Sequence, residues 1–343
     1  MARSPLLSVL RSQDPLAMAG IFRDWKSLLR LHFLHAAFES GLLHALEAPR
    51  TTAELEEALD ARRPELLQAL LDLGVTLGEL SCSGGRYALR GRRARALCEA
   101  RNDALAAMVE ANVTYYNEAY RNFAARLRGG PLNEGVGSQG PLVARVSKIS
   151  EPYVERFLDH QVPRRGPLRV LDVGCGSGLH LRRVLERNGE ATALGLEVDP
   201  AVVLQARENA DAWGLGGRLR VAQGDARALP DAAAGPFDLV LLFSVVYYFQ
   251  VPERVAVLRA LGERLAPGGV LAVTTSCRGP GAGTFEANLS VATTSMEGLT
   301  ALPTPAEMET QLREAGIGAV RSERLVPDSR YMGLTASGHA AGR

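Results

Sequence analysis

Cysteine is scarce: the chain has four in 343 residues (Cys82, Cys98, Cys175 and Cys277), and none share a paired spacing. That excludes a disulfide framework and the usual zinc-ribbon patterns, and the thiols are expected to be the reduced ones of a cytoplasmic protein. An excess of either charge is missing as well, since 39 Lys and Arg against 38 Asp and Glu leave a net charge of +1. No global field draws such a chain to nucleic acid or to a membrane surface. No apolar run is long enough to span a bilayer. The first residues lack a long apolar h-region, and Asp14 and Pro15 follow soon after. Residues 1–13 therefore read as a flexible arm and not as a signal peptide. No histidine and carboxylate cluster has metal-ligand spacing, so no metal is expected. What is left is the make-up of a soluble globular protein, 46% hydrophobic and 22% charged, with length for one large domain or two ordinary ones.

The first third is helical. Phe22, Trp25, Leu28, Leu29, Leu31, Phe33, Leu34, Ala37 and Phe38 recur at helical spacing, and Gly41 closes that helix. Thr51 with Glu54 forms a capping-box signature, and Pro64 opens a helix with Leu66, Leu67, Leu70, Leu71 and Leu73 on its apolar face. A hairpin follows, turning at Ser83-Gly84-Gly85. Three helices and a hairpin are the order of a winged helix. The basic run Arg90, Arg92, Arg93 and Arg95 raises a DNA-binding regulator as one reading. The helix that would read DNA, however, carries Glu65, Gln68 and Asp72 and no cation after Arg63. Base and phosphate readout needs donors there, so no nucleic-acid partner is expected. Asn102 to Arg128 reads as one long amphipathic helix, followed by a Gly-rich loop from Asn133 to Gly140 and a further helical stretch from Val143 to His160.

From Arg169 the pattern becomes alternating strand and helix. Strands are expected at Arg169–Val173, Thr192–Glu197, Leu219–Ala222, Phe237–Phe243 and Val270–Thr274. Helices are expected at Leu179–Arg187, Pro200–Trp213 and Val251–Leu265, with Pro267-Gly268-Gly269 as a turn. The run Phe237 to Phe243 is apolar but for Asp238, as for a strand covered on both faces. This alternation is that of a Rossmann-like doubly wound sheet, making the fold class α/β with an N-terminal, mostly helical, winged-helix-like domain. Thr304-Pro305-Ala306-Glu307 starts a last helix, and two more strands follow at Ala319–Val326 and Tyr331–Thr335.

One motif carries chemistry: Asp172-Val173-Gly174-Cys175-Gly176-Ser177-Gly178, between a strand and a helix. Its glycines permit a tight turn and close approach of a ligand to the backbone. Nicotinamide and flavin enzymes use glycine loops too. Here the spacing is Gly-x-Gly-x-Gly, and the acid Asp172 sits where a pyrophosphate would be repelled and an ammonium welcomed. Glu197 ends the second strand, where a carboxylate can hold ribose hydroxyls. Asp225 follows the third strand, within reach of an adenine amino group.

On these residues the sequence resembles the class I S-adenosylmethionine-dependent methyltransferases. The matching pieces are Val170 to Gly178, Gly195 to Pro200, Gly224-Asp225-Ala226, Phe237-Asp238-Leu239-Val240 and Leu265-Ala266-Pro267-Gly268-Gly269, in order over about a third of the chain. The resemblance implies S-adenosylmethionine as cofactor. It implies a cofactor site of Asp172, Gly174, Cys175, Gly176, Gly178, Glu197, Val198, Asp225, Ala226 and Ser244, with the methionine moiety on Asp172 and the glycine loop. The layout also resembles small-molecule O-methyltransferases, which implies a domain scheme: 1–13 arm, 14–100 winged-helix-like dimerisation domain, 101–165 helical linker and lid, 166–343 catalytic domain. It further implies a small, natural-product-like acceptor and a homodimer formed through the N-terminal helices. O-methylation is favoured, with C- or N-methylation as the alternative. A nicotinamide-dependent oxidoreductase and a winged-helix regulator sensing S-adenosylmethionine are the other readings.

Plant-type members place a histidine just after the fourth strand as general base. Here that segment is Phe243-Ser244-Val245-Val246-Tyr247-Tyr248-Phe249, without one. The candidates for touching the acceptor are Tyr247, at the carboxyl-end crevice, Tyr116, on a helix face with Tyr120 and Asn112, and His160 near the linker. His32 and His35 are further options from a dimer partner, whereas His180 reads as structural. Glu286 and Glu297 fall in a Gly-rich insertion, Gly279 to Gly298, which reads as a lid or a disordered loop.

Overall fold

A computed structural model describes residues 14–134 and 140–339. The arm at 1–13 and most of the Gly-rich loop, 135–139, lie outside the described residues. The chain divides into two compact units, 14–118 with 140–149, and 119–134 with 150–339. The stretch 101–165 is thus shared between them.

In the first unit α1 runs over Pro15–Glu39, opened by Asp14, whose side chain accepts from the amides of Leu16 and Ala17. Gly41, at φ 79°, takes the left-handed turn that leads into α2 (Leu42–Ala45). β1 (Arg50–Thr51) precedes α3 (Thr52–Ala58), and both bonds of the Thr51–Glu54 capping box are present. α4 spans Pro64–Leu77 and leads to the hairpin of β2 (Leu80–Ser83) and β3 (Arg86–Leu89). Gly84 and Gly85 both have positive φ, which a two-residue hairpin turn of this hand requires. The three strands pair in the order β1-β3-β2. α5 (Arg92–Leu97), α6 (Asp103–Val113) and α9 (Gly140–Ser147) complete this unit. Arg145 on α9 bonds Asp103 and Glu110 of α6. The core is Phe33, Leu34, Ala37, Leu42, Leu43, Leu55 and Leu71 with their neighbours. Arg93 reaches the buried Glu79 and Arg95 caps the Leu89 carbonyl, so part of the basic run is spent on internal contacts.

The expected single helix from Asn102 to Arg128 is three. α6 stops at Val113, α7 covers Tyr115–Tyr120 and α8 covers Phe123–Leu127. Thr114 departs from helical geometry (ψ −82°) and turns its hydroxyl back onto the Glu110 carbonyl, and Asn122 is left-handed at φ 58°. Such back-bonding competes with the helix ladder. Asn112 therefore does not share a helix face with Tyr116.

In the second unit α10 (Glu151–Gln161) precedes a seven-stranded sheet. Its strands are β4 (Leu168–Val173), β5 (Ala191–Glu197), β6 (Leu219–Gln223), β7 (Phe237–Phe243), β8 (Leu265–Ser276), β9 (Ile317–Arg324) and β10 (Tyr331–His339). The order is β6-β5-β4-β7-β8-β10-β9. The first five strands are parallel, and β10 pairs antiparallel with both β8 and β9. The helices are α11 (Leu179–Arg187), α12 (Pro200–Ala212), α13 (Arg254–Gly262), α14 (Thr284–Thr294) and α15 (Pro305–Glu314). β7 shows why the sheet is covered on both faces: Leu239 and Leu241 join one core cluster, Val240 and Leu242 the other. Side chains alternate across a strand, so the consecutive apolar residues Leu239 to Phe243 supply two cores.

Two expectations change here. Pro267-Gly268-Gly269 lies within β8, as an irregularity where pairing with β7 jumps from Phe237↔Leu265 to Leu239↔Val270. The Gly279–Gly298 segment contains a regular helix, α14, with Glu286 2% exposed. The strand order reverses about β4, which leaves a crevice at the carboxyl ends of β4 and β7, the place where open α/β sheets bind ligands.

Candidate functional site

The glycine loop leaves β4 at that crevice. Asp172 is 1% exposed, and its Oδ2 has no hydrogen-bond partner. Burial pushes its carboxyl up to about 6, with Glu197 adding to the rise and His180 opposing it. A buried carboxylate oxygen without a donor is costly, and such groups gather where a ligand completes them. The loop itself is tied down by backbone: the amides of Gly174 and Cys175 both donate to the Leu196 carbonyl. Gly174 and Gly176 have φ of 74° and 52°. A Cβ at Gly174 would stand 2.6 Å from Val245 Cγ2, whereas one at Gly176 would meet nothing within 4 Å. The loop thus closes against Val245 on one side and leaves open space above Gly176. Cys175 is buried under the loop, packed where a Cβ on Gly195 would come within 2.6 Å of its sulfur. Burial and the nearby Asp172 and Glu197 push its thiol far up, so it is a packing group and no nucleophile. Gly178, left-handed at φ 86°, caps the start of α11.

Glu197 ends β5 beside this loop. Its Oε2 accepts from the Gly176 amide at 3.1 Å, and its Oε1 from Val198 at 2.8 Å and Asp199 at 3.4 Å. Val198 next to it is 56% exposed, an apolar side chain left open. Asp225 follows β6, accepts from the Arg227 amide and pairs with its guanidinium at 3.2 Å, while Ala226 is buried. Ser244, just past β7, is left-handed at φ 57° without being glycine. Its amide donates to the Thr274 carbonyl, and its hydroxyl bonds Tyr331 Oη at 3.0 Å, which also reaches Thr274 Oγ1. Strain of this kind persists only where surroundings over-determine it. Asp172, the glycines, Glu197 and Ser244 all sit at the carboxyl ends of adjacent strands.

A cofactor bearing an ammonium, a ribose and an adenine can be tested against this geometry. The orphaned Asp172 oxygen, the open space above Gly176 and the exposed Val198 fit it. A pyrophosphate would face the Asp172 carboxylate instead.

The acceptor candidates are spread over both units, Tyr116 in the first and Tyr247 and His160 in the second. Tyr247 is partly buried on a short 3₁₀ turn, its ring 5.2 Å from that of Tyr248. Its carbonyl accepts from the Thr300 amide and hydroxyl, and the buried Arg254 bonds Thr300, Ala301 and Phe249, which pins this turn to the 299–302 segment. His160 instead lines a shallow polar groove of about 320 Å³ with Glu155, Arg156, Asp159, Arg183 and Arg187, a set that includes neither Tyr247 nor Asp172. Tyr116 belongs to the first unit, and burial pushes its phenol up to about 12. In the second unit a cavity of about 300 Å³ lies past β8, lined by Phe123, Arg278, Gly279, Ala282, Ala287, Ser290, Val291 and Thr294. Tyr120 Oη donates to Asn288 of α14 beside it.

Sequence reasoning passed over Val245, Tyr331 and Arg254. Tyr331 acts from a strand far along the chain, and no local signal marks it. One trio of metal-ligating types does assemble among the described residues: His44, Glu47 and Cys98 have ligand atoms within 4.8 Å. Spacing could not reveal it, because Cys98 comes from the end of another helix. His44 and Glu47 are exposed and already paired at 3.0 Å. Among the described residues no helix is long and apolar enough to cross a membrane.

Comparison with known proteins points the same way as the geometry. Residues 170–269 match the model of a methyltransferase domain family. Over 108 residues the chain is 37% identical to a trans-aconitate 2-methyltransferase of Streptomyces avermitilis, covering 32% of this chain and 39% of that protein. The chain thus spans about two fifths of the curated relatives it matches. The mitomycin 7-O-methyltransferase structure superposes with TM-score 0.77 at 19% identity, over 96% of this chain and 99% of that one. An O-methyltransferase from neocarzinostatin biosynthesis, solved with S-adenosylmethionine and 2-hydroxy-5-methyl naphthoic acid, gives TM-score 0.69 at 21% identity, over 90% and 96%. The chain thus carries the class I S-adenosylmethionine-dependent methyltransferase fold.

Proposed function

We propose that the protein is an S-adenosylmethionine-dependent methyltransferase of a small-molecule acceptor, with an acceptor oxygen as the methylated atom. The observation that carries this reading is the buried Asp172 carboxylate, orphaned at one oxygen beside an open glycine loop. In it the carboxylate receives the cofactor's ammonium, and the backbone of Gly174, Cys175, Gly176 and Gly178 shapes the loop around the methionine moiety. Glu197 holds the ribose, Val198 lies against the adenine, and Asp225 with Ala226 receives its amino group. Ser244 closes the crevice from the end of β7. When bound, the cofactor supplies a sulfonium methyl already activated for transfer.

The chain's part is then placement and exclusion of water. Positioning alone supplies roughly 7–11 kcal/mol in favourable reactions. No histidine follows β7, and the Tyr116 phenol keeps its proton, so an acceptor contact there is a hydrogen-bond donor. A carboxylic or acidic phenolic acceptor, ionised at working pH, needs no protein base. Tyr247 and His160 are the remaining candidates for acceptor contact. The cavity past β8 is at the small end of ligand pockets, which suits a compact acceptor.

The same reading includes a homodimer through α1. Phe33, Leu34 and Ala37 from the apolar stripe are buried, whereas Leu16, Ile21, Phe22, Trp25 and Leu28 are each more than half exposed. A second copy covering that row satisfies it. Transfer of labelled methyl from S-adenosylmethionine to a panel of aromatic and aliphatic hydroxy acids tests the activity. Methyl esters or ethers are the expected products. Nitrogen-only or carbon-only products would contradict oxygen as the target, and no transfer to any acceptor would count against the enzyme. Sedimentation of the protein and of Trp25→Glu tests the dimer.

A further inference from the structure

His180, which the sequence reads as structural, stands among acidic side chains beside the glycine loop. It occupies the first turn of α11, just after the glycine loop. Its Nε2 lies 3.2 Å from Glu151 Oε1 of α10, within ion-pair distance though off the axis of a hydrogen bond. Its ring stands edge-on to Phe243, with centroids 5.1 Å apart, which fixes the imidazole at the end of β7. Phe157 of α10 also packs on Phe243, with ring centroids 6.0 Å apart.

Every titratable group around this imidazole that acts on it is acidic. Glu151 and Glu155 approach from α10, and Asp172 from the end of β4. Asp172 in turn faces Glu197 of β5, and Glu151 also acts on the phenol of Tyr331 from β10. A helix N-terminus disfavours a cation, and burial does too. The acids outweigh both, so the His180 imidazole is held above its ordinary value. When protonated, this imidazole faces Glu151, Glu155 and Asp172, and among these Asp172 is the one whose Oδ2 lacks a donor.

We propose that His180, clamped by Glu151, is a positioning residue whose imidazolium keeps the buried Asp172 carboxylate ionised and ready for the cofactor's ammonium. The proposal rests on the methyltransferase reading above. It acts through Asp172 and requires no contact between His180 and the methyl group. Without the cation the carboxylate holds its proton to higher pH, and a protonated Asp172 has no charge to offer. Above the pH at which His180 loses its own proton, the unmodified protein and a variant lacking the imidazole become alike.

The test is calorimetric titration with S-adenosylhomocysteine from pH 5.5 to 8.5, on the unmodified protein, His180→Gln and Glu151→Gln. His180→Gln is expected to bind on the order of tenfold more weakly near pH 5.5, and the gap closes toward pH 8.5. In parallel, the His180 ring proton is followed by NMR in the cofactor-free protein. It is expected to titrate above about 6.5 and to fall in Glu151→Gln. A loss in His180→Gln that is equal at every pH means a packing role only and overturns the proposal. So does a His180 that titrates below its ordinary value, a result that survives even if the Gln variant misfolds. Failure of the unmodified protein to bind at any pH strikes the methyltransferase reading itself, and this role falls with it.

Discussion

Asp172 is the last residue but one of β4 and Glu197 ends β5, one strand over, yet the chain equips them differently. Glu197 accepts from the amides of Gly176, Val198 and Asp199, so its charge is largely answered by backbone. Asp172 is more deeply buried and keeps one oxygen without a donor. Asp225, after β6, is different again: 42% exposed and paired with Arg227. Across these three strands, unmet electrostatic demand rises from the β6 side toward β4. In the proposed function that gradient follows the ligand, from a neutral adenine and ribose to a charged ammonium. Demand left open in the free protein is returned as binding when a cation arrives, whereas a satisfied carboxylate can add only a hydrogen bond.

The largest effect on this comparison is expected from Asp172→Ala, which removes the carboxylate that would face the cofactor's ammonium. Truncating one partner of a buried charge pair costs about 2–5 kcal/mol, so affinity for S-adenosylmethionine should fall at least about thirtyfold. Asp172→Asn sharpens the comparison through stability. The folded carboxyl is raised to about 6, above its ordinary value near 3.9. It therefore stabilises the fold when protonated, fully below about pH 4, and that contribution is lost as pH climbs through 6. Cofactor-free Asp172→Asn should thus be more stable than the unmodified protein at pH 8, by about 2–3 kcal/mol, and no more stable at pH 4. Denaturant melts at the two pH values check it, and a variant less stable at pH 8 would break the account.

Glu197→Gln is expected to act in the opposite sense on stability. It loses a charged acceptor of backbone amides, costing about 1–2 kcal/mol in melts, and weakens cofactor binding about tenfold. Asp225→Asn should change affinity by no more than about fivefold, as expected for an exposed, solvated pair. If Asp225→Asn cost more than Asp172→Ala, the order of demand across the sheet would be reversed and the assignment of the two ends wrong.

Local grammar carried the main elements. The run from Asp172 to Gly178, with a strand before and a helix after, is continuous in sequence, so both the turn and its glycines were legible. The alternation from Arg169 onward fixed the parallel strands, because both faces of each must be apolar. Thr114 was not legible as a break: it is neither Gly nor Pro, and its hydroxyl competes with the ladder only once neighbouring packing permits. Pro267-Gly268-Gly269 looked like a turn because those residues normally end strands, and β7 held it in the sheet as an irregularity. The clamp on Ser244 depends on Tyr331, and the pairing of His180 depends on Glu151 of another helix. No spacing rule reaches across elements that meet only in the folded sheet.

The most direct test of the central claim is calorimetric titration of the unmodified protein and Asp172→Ala with S-adenosylmethionine, S-adenosylhomocysteine and a nicotinamide dinucleotide at pH 8. The account predicts micromolar binding of both sulfur nucleosides, lost in the variant, and none of the dinucleotide. Binding of the dinucleotide, or sulfur-nucleoside affinity unchanged by Asp172→Ala, would contradict it.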